Sequence, residues 1–381
     1  MKSPRVAIVH DYLVARGGAE KVVEAISEIF PQAPVYTGIY KSHAFTPTIT
    51  SKQVITHGQP ANFILNALPK HLTFLMPALF ENFDLHEYDI VISSSSSYAK
   101  GVLTKPGQLH ISYMHTPPRF LYKYSVESTQ RDKWYYKPAV SYVDNYLRIW
   151  DYLAAQRPDF IVTNSENVRE RIRKFYRRDA RVIYPPIDKV DPKQEQKDNL
   201  SNPYYLAVGR LSQYKNFDLL INAFNLTGLS LVIVGNGKEF SRLKRLAKSN
   251  VKIMQGITDN HKHTLWENSL GFIFPVVDED FGIVVIESLL HGKPVLAHKS
   301  GGPLEIIDEG VSGLFFEDVS LEGFISKLKE FDQMIGEKKF DSGHIKKSAE
   351  RFTNRDFKKE FEKFVFEKWE QHARASGNNY N

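Results

Sequence analysis

Short apolar runs, often β-branched, alternate with longer amphipathic stretches along nearly the whole chain, and this alternation limits the fold more than any other feature. Runs that are apolar throughout, rather than at every second position, are typical of strands buried on both faces in parallel sheets. The repeated order of strand and helix therefore predicts an α/β protein. The runs are residues 5–10, 34–39, 88–93, 110–115, 160–164, 181–184, 204–209, 229–235, 251–256, 271–275 and 294–298.

These runs form two series, separated by a Pro-rich and charged segment at 184–203 that has few residues to bury and is typical of a linker. The length of 381 residues is enough for two or three domains. We predict two facing, Rossmann-like, doubly wound parallel sheets, with domain boundaries at 1–188 and 189–352. The final segment, 353–381, has apolar residues at helical spacing and predicts an amphipathic helix that packs back on the N-terminal domain.

Composition excludes several classes of protein. The chain has no cysteine, so disulfides, thiolate metal sites and a cysteine nucleophile are all excluded. Its 13 histidines include no HxxxH or HExxH pair, and neither a GxSxG elbow nor a Walker loop occurs. No stretch approaches the ~18–20 apolar residues of a spanning helix, and the first residues are typical of a strand and not of a signal peptide. We expect a cytoplasmic protein whose membrane contact, if any, comes from one face.

Positive charge is unevenly placed within the net charge of +6. Arginines are dense at 168–181, and a second basic and aromatic stretch runs over 119–150. Such segments attract nucleic acid, anionic lipid or phosphorylated small molecules, although each also fits a solvated helix face. The Leu- and Phe-rich stretch at 62–83 fits either a helical pair that dips into the inner face of the cell membrane or ordinary core packing.

Two cations follow the first run of the second series. Arg210 and Lys215 lie between that run and an amphipathic helix opened by Asn216. A guanidinium fork, a mobile ammonium and the free N–H groups of a helix start together suit a diphosphate. The alternative is two surface cations near a helix start.

Two carboxylates eight residues apart flank the next candidate. Glu279 is predicted on a loop, Gly282 at a helix start and Glu287 inside that helix. A carboxylate on an apolar helix needs a partner, either the vicinal hydroxyls of a ribose or a neighbouring lysine or backbone group. The carboxylates at 278–280 also allow a metal-binding triplet, although carboxylates alone are weak evidence for one.

Three further features lie where predicted strands end. His115 precedes two prolines and is placed to touch a ligand, unless it is a capped structural residue. Gly17 and Gly18 open a helix after the first run and allow close approach of a ligand, or form a flexible turn. Gly235 and Gly237 lack the third glycine of a dinucleotide fingerprint, so we expect a turn in which glycine supplies positive φ.

Together these segments resemble the retaining glycosyltransferases of family 4, which have the GT-B fold. The likeness spans nearly the whole chain, and the pair of glutamates combined with Gly209-Arg210-Leu211 and Lys215 is its most specific part. A narrower likeness, to bacterial O-antigen and exopolysaccharide mannosyltransferases that use GDP-mannose, rests on 17–22 and 115–119. Other matching segments are 164–165, 184–188, 235–237, 292–295 and 301–305. Asn216 departs from the family, where many relatives have glycine.

The resemblance implies a role for each matching residue. Arg210 and Lys215 bind the donor diphosphate, Glu287 holds the ribose hydroxyls, Glu279 touches the transferred sugar and His115 lies against it. Gly17, Gly18, Phe281, Gly282 and Ile283 complete the donor site. The substrates implied are a nucleotide-sugar donor and a saccharide or polyprenyl-linked acceptor, with no cofactor and no metal.

Two other functions remain open from the sequence. A non-hydrolysing sugar-nucleotide epimerase or a phosphorylase has the same two facing domains. A basic nucleic-acid-binding protein would account for the positive charge, but the aromatic residues follow core periodicity and no RNP-like or helix-turn-helix signature occurs. We therefore expect no nucleic-acid partner.

Overall fold

The computed structural model of the chain describes residues 4–57, 73–124, 137–187, 203–353 and 356–375. The described residues form two compact units. The first unit holds those up to Pro186 together with the last described segment, and the second holds 203–353. Most of the predicted linker at 184–203 lies outside the described residues, as do 62–72 and 125–136 of the two stretches singled out for membrane or anion contact.

Thirteen strands in the described part form two wholly parallel sheets. The first sheet has the order β3-β2-β1-β4-β5-β6-β7 and the second β10-β9-β8-β11-β12-β13. The strands are β1 (Val6–His10), β2 (Val35–Thr37), β3 (Val54–Ile55), β4 (Ile90–Ser95), β5 (Leu109–Met114), β6 (Phe160–Thr163), β7 (Arg181–Val182), β8 (Tyr204–Val208), β9 (Leu231–Val234), β10 (Val251–Met254), β11 (Ser269–Phe274), β12 (Val295–His298) and β13 (Gly313–Phe316).

Helices connect and cover these strands. They are α1 (Gly18–Ile29), α2 (Pro47–Thr50), α3 (Met76–Glu81), α4 (Arg119–Tyr122), α5 (Lys137–Ala154), α6 (Glu166–Tyr176), α7 (Phe217–Thr227), α8 (Phe240–Leu246), α9 (Asp259–Asn268), α10 (Ile283–Leu290), α11 (Pro303–Ile306), α12 (Leu321–Gly336), α13 (Ser342–Thr353) and α14 (Phe357–Ala375). None of the described helices combines the length and apolar character needed to cross a membrane.

The core explains why the apolar runs became strands. Every residue of β1, β4 and β5 is buried, because each strand has neighbours on both edges and side chains covering both faces. On one face of the first sheet, α14 contributes Phe357, Phe361 and Val365 to the same apolar cluster as the strands. The α/β architecture and the two doubly wound sheets predicted from the sequence are confirmed.

Two strands, β3 and β13, were not predicted. Each is at an edge of its sheet and pairs on one side only. The first has only two residues, and the second, Gly-Leu-Phe-Phe, has no β-branched residue to distinguish it from a helix or loop. In both cases pairing with the neighbouring strand, which no local pattern reveals, determines the structure.

The apolar stretch at 62–83 is core packing as far as it is described. Met76, Phe80 and Phe83 are buried in a cluster with the first sheet. The described part of this stretch therefore follows the core-packing alternative, apart from Phe74 and Leu75, which are exposed.

Candidate functional site

Each sheet has one point at which the strand order reverses. The reversal lies between β1 and β4 in the first sheet and between β8 and β11 in the second. Ligands of doubly wound proteins bind outside the carboxyl ends of the strands at this point, because the following loops diverge there. The loops after β1 and β4 in the first unit, and after β8 and β11 in the second, are therefore the candidate ligand-binding loops.

In the second unit, the loop after β8 carries Arg210 and passes directly over the turn after β9. The Gly209 N–H donates to the Val234 carbonyl, and the Leu211 N–H donates to the Asn236 carbonyl. A Cβ on Gly235 would lie 1.8 Å from the Gly209 oxygen.

The expectation of positive φ at Gly235 and Gly237 was wrong, because neither is among the residues with positive φ. A Cβ on Gly237 would lie 2.1 Å from the Leu211 carbonyl oxygen. Close contact between two backbone segments, and not turn geometry, is what requires glycine here.

Lys215 and Glu279 form a buried ion pair at the point of reversal in the second unit. The Nζ of Lys215 donates to Oε2 of Glu279 at 2.5 Å, although the two residues follow different strands. Burial alone would lower the pKa of Lys215, but the charges of Glu279 and Tyr214 outweigh it and the pKa is raised. The ammonium is therefore fully charged at neutral pH, beside the rings of Tyr214 and Phe274.

Arg210 is exposed at the same loop, and its guanidinium forms no ion pair with any other described residue. Asn216, which departs from the family pattern, has a φ of 53° in the left-handed region. Asparagine adopts this conformation more readily than other residues with a side chain, so it replaces glycine without changing the backbone. Its side-chain amide donates to the Pro275 carbonyl at 3.1 Å, which ties the start of α7 to the end of β11.

The loop before α10 rests on a pair of glycines. A Cβ on Gly301 would lie 2.3 Å from the backbone carbonyl oxygen of Glu279. A Cβ on Gly302 would lie 2.1 Å from that of Phe281. Gly282 has a φ of 101° and is the N-cap of the helix, whose first residue is Ile283. This close contact presents the backbone at the start of α10 and buries the ring of Phe281 against Phe352.

Glu287 lies in the second turn of α10, and its carboxylate is 3.1 Å from the ammonium of Lys262 on α9. This is the neighbouring-lysine partner that the sequence left open. The Lys262 side chain is partly exposed, and that of Glu287 is mostly buried. Lys262 was not predicted, because α9 carries no glycine or strand end to single it out.

In the first unit, three buried side chains meet at the carboxyl ends of adjacent strands. His115 follows β5, and its Nε2 lies 2.8 Å from Oγ of Ser94 on β4. The same hydroxyl is 3.1 Å from Nδ1 of His10 on β1. Burial, with a further contribution from the nearby His10, lowers the pKa of His115 to about 3, so the ring is neutral under physiological conditions.

Two glycines lie close to this cluster at the start of α1. Gly17 precedes the helix without a side-chain cap, and Gly18 is its first residue. Glu20, in the first turn, reaches to 3.9 Å from Nε2 of His10. The exposed amides of a helix start and these histidines therefore lie at the same end of the sheet.

Asp11 holds the loop after β4. Its two carboxylate oxygens accept four backbone N–H bonds, from the residues at 96–99, at 2.6 to 2.8 Å. Neither Asp11 nor His10 was predicted individually as a functional residue. The only signal for them was their place at the end of the first apolar run.

The arginine-rich segment at 168–181 is largely satisfied internally. Arg169 and Arg173 pair with Asp179 and with glutamates one turn away on α6, and Arg178 donates to backbone carbonyls. These guanidiniums are less available to an anion than the sequence suggested. Among the described residues, no three His, Asp or Glu side chains group in a way that could hold a metal ion.

Comparison with known proteins agrees with this architecture. The sequence profile described as Glycosyltransferase Family 4 matches residues 16–190, and that described as Glycosyl transferases group 1 matches 188–334. The D-rhamnosyltransferase WbpZ of Pseudomonas aeruginosa is 28% identical over 193 residues, which are 47% of this chain and 48% of the relative. The alpha-1,3/1,6-mannosyltransferase ALG2 of Kluyveromyces lactis is 24% identical over 375 residues, covering 80% and 71%.

Solved structures show the same fold. Anabaena Alr3699/HepE in complex with UDP and glucose superposes with a TM-score of 0.68 at 17% identity, covering 96% of this chain and 100% of that one. Sucrose-phosphate synthase from Thermosynechococcus elongatus gives a TM-score of 0.68 at 14% identity, covering 97% and 100%. The chain spans about half the length of the Pseudomonas relative.

Two Rossmann-like units of this strand order define the GT-B class. The chain belongs to glycosyltransferase family 4 within that class.

Proposed function

We propose that the protein is a retaining hexosyltransferase that moves mannose from GDP-mannose to a saccharide or polyprenyl-linked acceptor. The observation that carries the proposal is the charged Lys215 ammonium, which follows the same strand as the exposed Arg210 at the strand reversal of the second unit. Mannose is supported by the likeness to the mannosyltransferase ALG2 and by the motifs at 17–22 and 115–119.

The diphosphate is the leaving group, and these two cations stabilise the charge that grows on it as the glycosidic bond breaks. A nucleoside diphosphate is already a good leaving group, so fixed cations and N–H dipoles suffice in place of a strong acid. Glu279 holds Lys215 in position before the donor arrives. We propose that this needs neither a cofactor nor a metal.

Residues of each unit are assigned a part in donor binding, and those of the second unit hold the nucleoside. Glu287 accepts hydrogen bonds from the ribose hydroxyls, and its ion pair with Lys262 holds the carboxylate in place. The backbone of Gly282 and Ile283 lies against the donor, and Glu279 touches the transferred sugar. His115 and the start of α1, with Gly17 and Gly18, contact the sugar from the first unit.

Donor binding tests this proposal directly. Thermal unfolding is measured with GDP-, UDP-, ADP- and CMP-sugars, each with and without a chelator. A true donor stabilises the folded protein by mass action, by about 2.7 kcal/mol at 100 times its Kd. We expect GDP-mannose to give the largest shift, unchanged by the chelator. Stabilisation by none of these compounds would refute the function, and a strict metal requirement would restore the 278–280 triplet.

Removing either cation should abolish most sugar transfer. Arg210→Ala and Lys215→Ala are each expected to lower kcat about 10²–10³-fold, since each removes one fixed stabilising charge. Lys252→Met, at an exposed lysine on β10 of the same unit, is the matched control and should keep full activity. Near-wild-type rates in both alanine variants would place the diphosphate elsewhere.

We propose, second, that the first unit contacts the inner face of the cell membrane through α5. Tyr142, Tyr146, Ile149 and Leu153 are exposed at helical spacing along one side of this helix, while its opposite side is buried in the core. Tyrosine and aliphatic side chains on one face suit the interfacial region of a bilayer. Membrane contact through this surface would bring the enzyme to a lipid-linked acceptor.

Flotation with vesicles tests the membrane contact. Wild-type protein should float with vesicles of anionic and zwitterionic lipid. The double variant that combines Tyr146→Ser and Ile149→Ser should float several-fold less. Val14→Ser, at an exposed apolar residue outside α5, is the control. Absence of flotation combined with a concentration-dependent dimer would assign the surface to self-association instead.

A further inference from the structure

Ser94 lies between the two buried histidines of the first unit. It is fully buried at the end of β4, and its hydroxyl reaches His115 Nε2 at 2.8 Å and His10 Nδ1 at 3.1 Å. The Ser94 carbonyl oxygen is also 3.0 Å from His10 Nδ1. The Ser94 hydroxyl therefore contacts both rings, and the Ser94 carbonyl contacts His10 as well.

The chemistry of these groups fixes which nitrogen carries each proton. A carbonyl oxygen only accepts, so Nδ1 of His10 carries a hydrogen and donates to it. The Ser94 hydroxyl can then accept from His10 but not donate to it. Its own hydrogen has Nε2 of His115 as its acceptor, because a buried hydroxyl hydrogen without an acceptor is destabilising. His115 therefore accepts at Nε2 and carries its hydrogen on Nδ1.

We propose that Ser94 is a positioning residue that holds His115 in the Nδ1–H tautomer, so that the ring meets the transferred sugar as a hydrogen-bond donor. The proposal rests on the function proposed above, in which His115 contacts that sugar. With Nε2 turned inward to Ser94, Nδ1 is the nitrogen left for a hydroxyl oxygen of the sugar.

The surroundings of His115 keep this donor neutral. Among the described residues, the rings of His10 on β1 and Tyr113 on β5 lie 6.4 Å and 5.2 Å from that of His115, and Glu20 on α1 is 3.9 Å from His10 Nε2. The low pKa of His115 that results from burial means that no second proton is present at neutral pH. The hydrogen bond to the sugar therefore depends on the tautomer, and the tautomer depends on Ser94.

The chain supplies a matched control for this test. Ser112 is equally buried on the adjacent strand β5, and its hydroxyl has no hydrogen-bond partner among the described residues. Ser94→Ala and Ser112→Ala thus remove the same atom from the same sheet, and only the first removes a contact with His115. Ser94→Thr keeps the hydroxyl and serves as the rescue variant.

Two measurements are made on the full chain labelled with ¹⁵N-histidine. Long-range ¹⁵N–¹H spectra report which ring nitrogen of His115 is protonated, with the signal assigned by its loss in His115→Asn. We expect a protonated Nδ1 in wild type and Ser112→Ala, and a mixture of tautomers in Ser94→Ala. We also expect sugar transfer to fall about tenfold in Ser94→Ala, to recover in Ser94→Thr and to stay unchanged in Ser112→Ala, while GDP affinity stays the same in all.

A protonated Nε2 on His115 in wild type would overturn the inference. So would equal spectra and rates for Ser94→Ala and Ser112→Ala. Neither result would touch the proposed function, which instead fails if the wild-type protein transfers no sugar and binds no sugar nucleotide. The tautomer is observable in either case, because the spectra require no turnover.

Discussion

At the scale of single residues, contacts between backbone segments shape the second unit's site. Gly235 and Gly237 let the turn after β9 lie under the Arg210 loop, and Gly301 with Gly302 does the same for the loop that carries Glu279. In each case a methyl group would meet a carbonyl oxygen. The glycines therefore position the charged residues, although none of these glycines touches a charge itself.

Two glycine substitutions distinguish the loss of close backbone contact from the loss of backbone flexibility that any Gly→Ala change causes. Gly235→Ala should lower the free energy of unfolding by about 3 kcal/mol, since its Cβ would meet the Gly209 oxygen at 1.8 Å. Gly209→Ala should cost far less, because its Cβ meets only Phe217 at an ordinary 3.5 Å. Urea unfolding of both variants checks this, and equal losses would contradict the contact argument.

At the scale of elements, α14 is part of the first unit's core although it is last in the chain. The rings of Phe357 and Phe361 stack with each other and meet Tyr113 of β5 edge-on, and Phe361 is fully buried. The helix shares one face of the sheet with α1, which packs on β1 and β4 while α14 packs on β5.

Truncating one ring of α14 should destabilise the first unit. Phe361→Ala is expected to cost about 3–5 kcal/mol, because a large cavity would form in a buried cluster. Phe366→Ala, which removes a ring that is 36% exposed on the same helix, should cost about 1 kcal/mol or less. Denaturant midpoints give both values, and a small effect at Phe361 would show that α14 docks loosely.

At the scale of the whole molecule, both units bury histidines that resist protonation. Burial lowers the pKa of His110 to about 3 in the first unit and that of His291 to about 4 in the second, with His115 behaving like His110. In the unfolded chain these groups titrate near 6.5. The unfolded state therefore binds more protons below that pH, so stability falls as the pH drops from about 6.5 towards 4.

Acidification should accordingly lower the Tm. Between pH 7.5 and pH 5 each of these histidines should cost on the order of 1–2 kcal/mol. His110→Gln retains a polar group beside Ser93, to which His110 Nε2 is hydrogen-bonded, and should show a shallower pH dependence than wild type. A thermal melt series checks this, and parallel curves for the two proteins would count against the assignment.

Much of the fold could be predicted because its signal is local. Each predicted apolar run contains a strand, since burial on both faces requires apolar residues throughout. Edge strands β3 and β13 depend on pairing with a distant neighbour and have no such signal. For the site, Lys215 and Glu279 were named, but their contact is made across 64 residues. Ser94, His10 and Lys262 act through such tertiary contacts alone, so their positions could not be predicted from spacing.

Because α14 packs on the first sheet, it affects the order in which the two units can fold during synthesis. The second unit is one uninterrupted stretch, 203–353, and can complete its sheet while synthesis continues. The N-terminal strands leave the ribosome first, and α1 packs on β1 and β4 of their sheet, yet β5 stays without its covering helix until α14 emerges. Translation that stops short of that helix leaves a nascent chain with a finished second half and an aggregation-prone first half, which chaperones must shield.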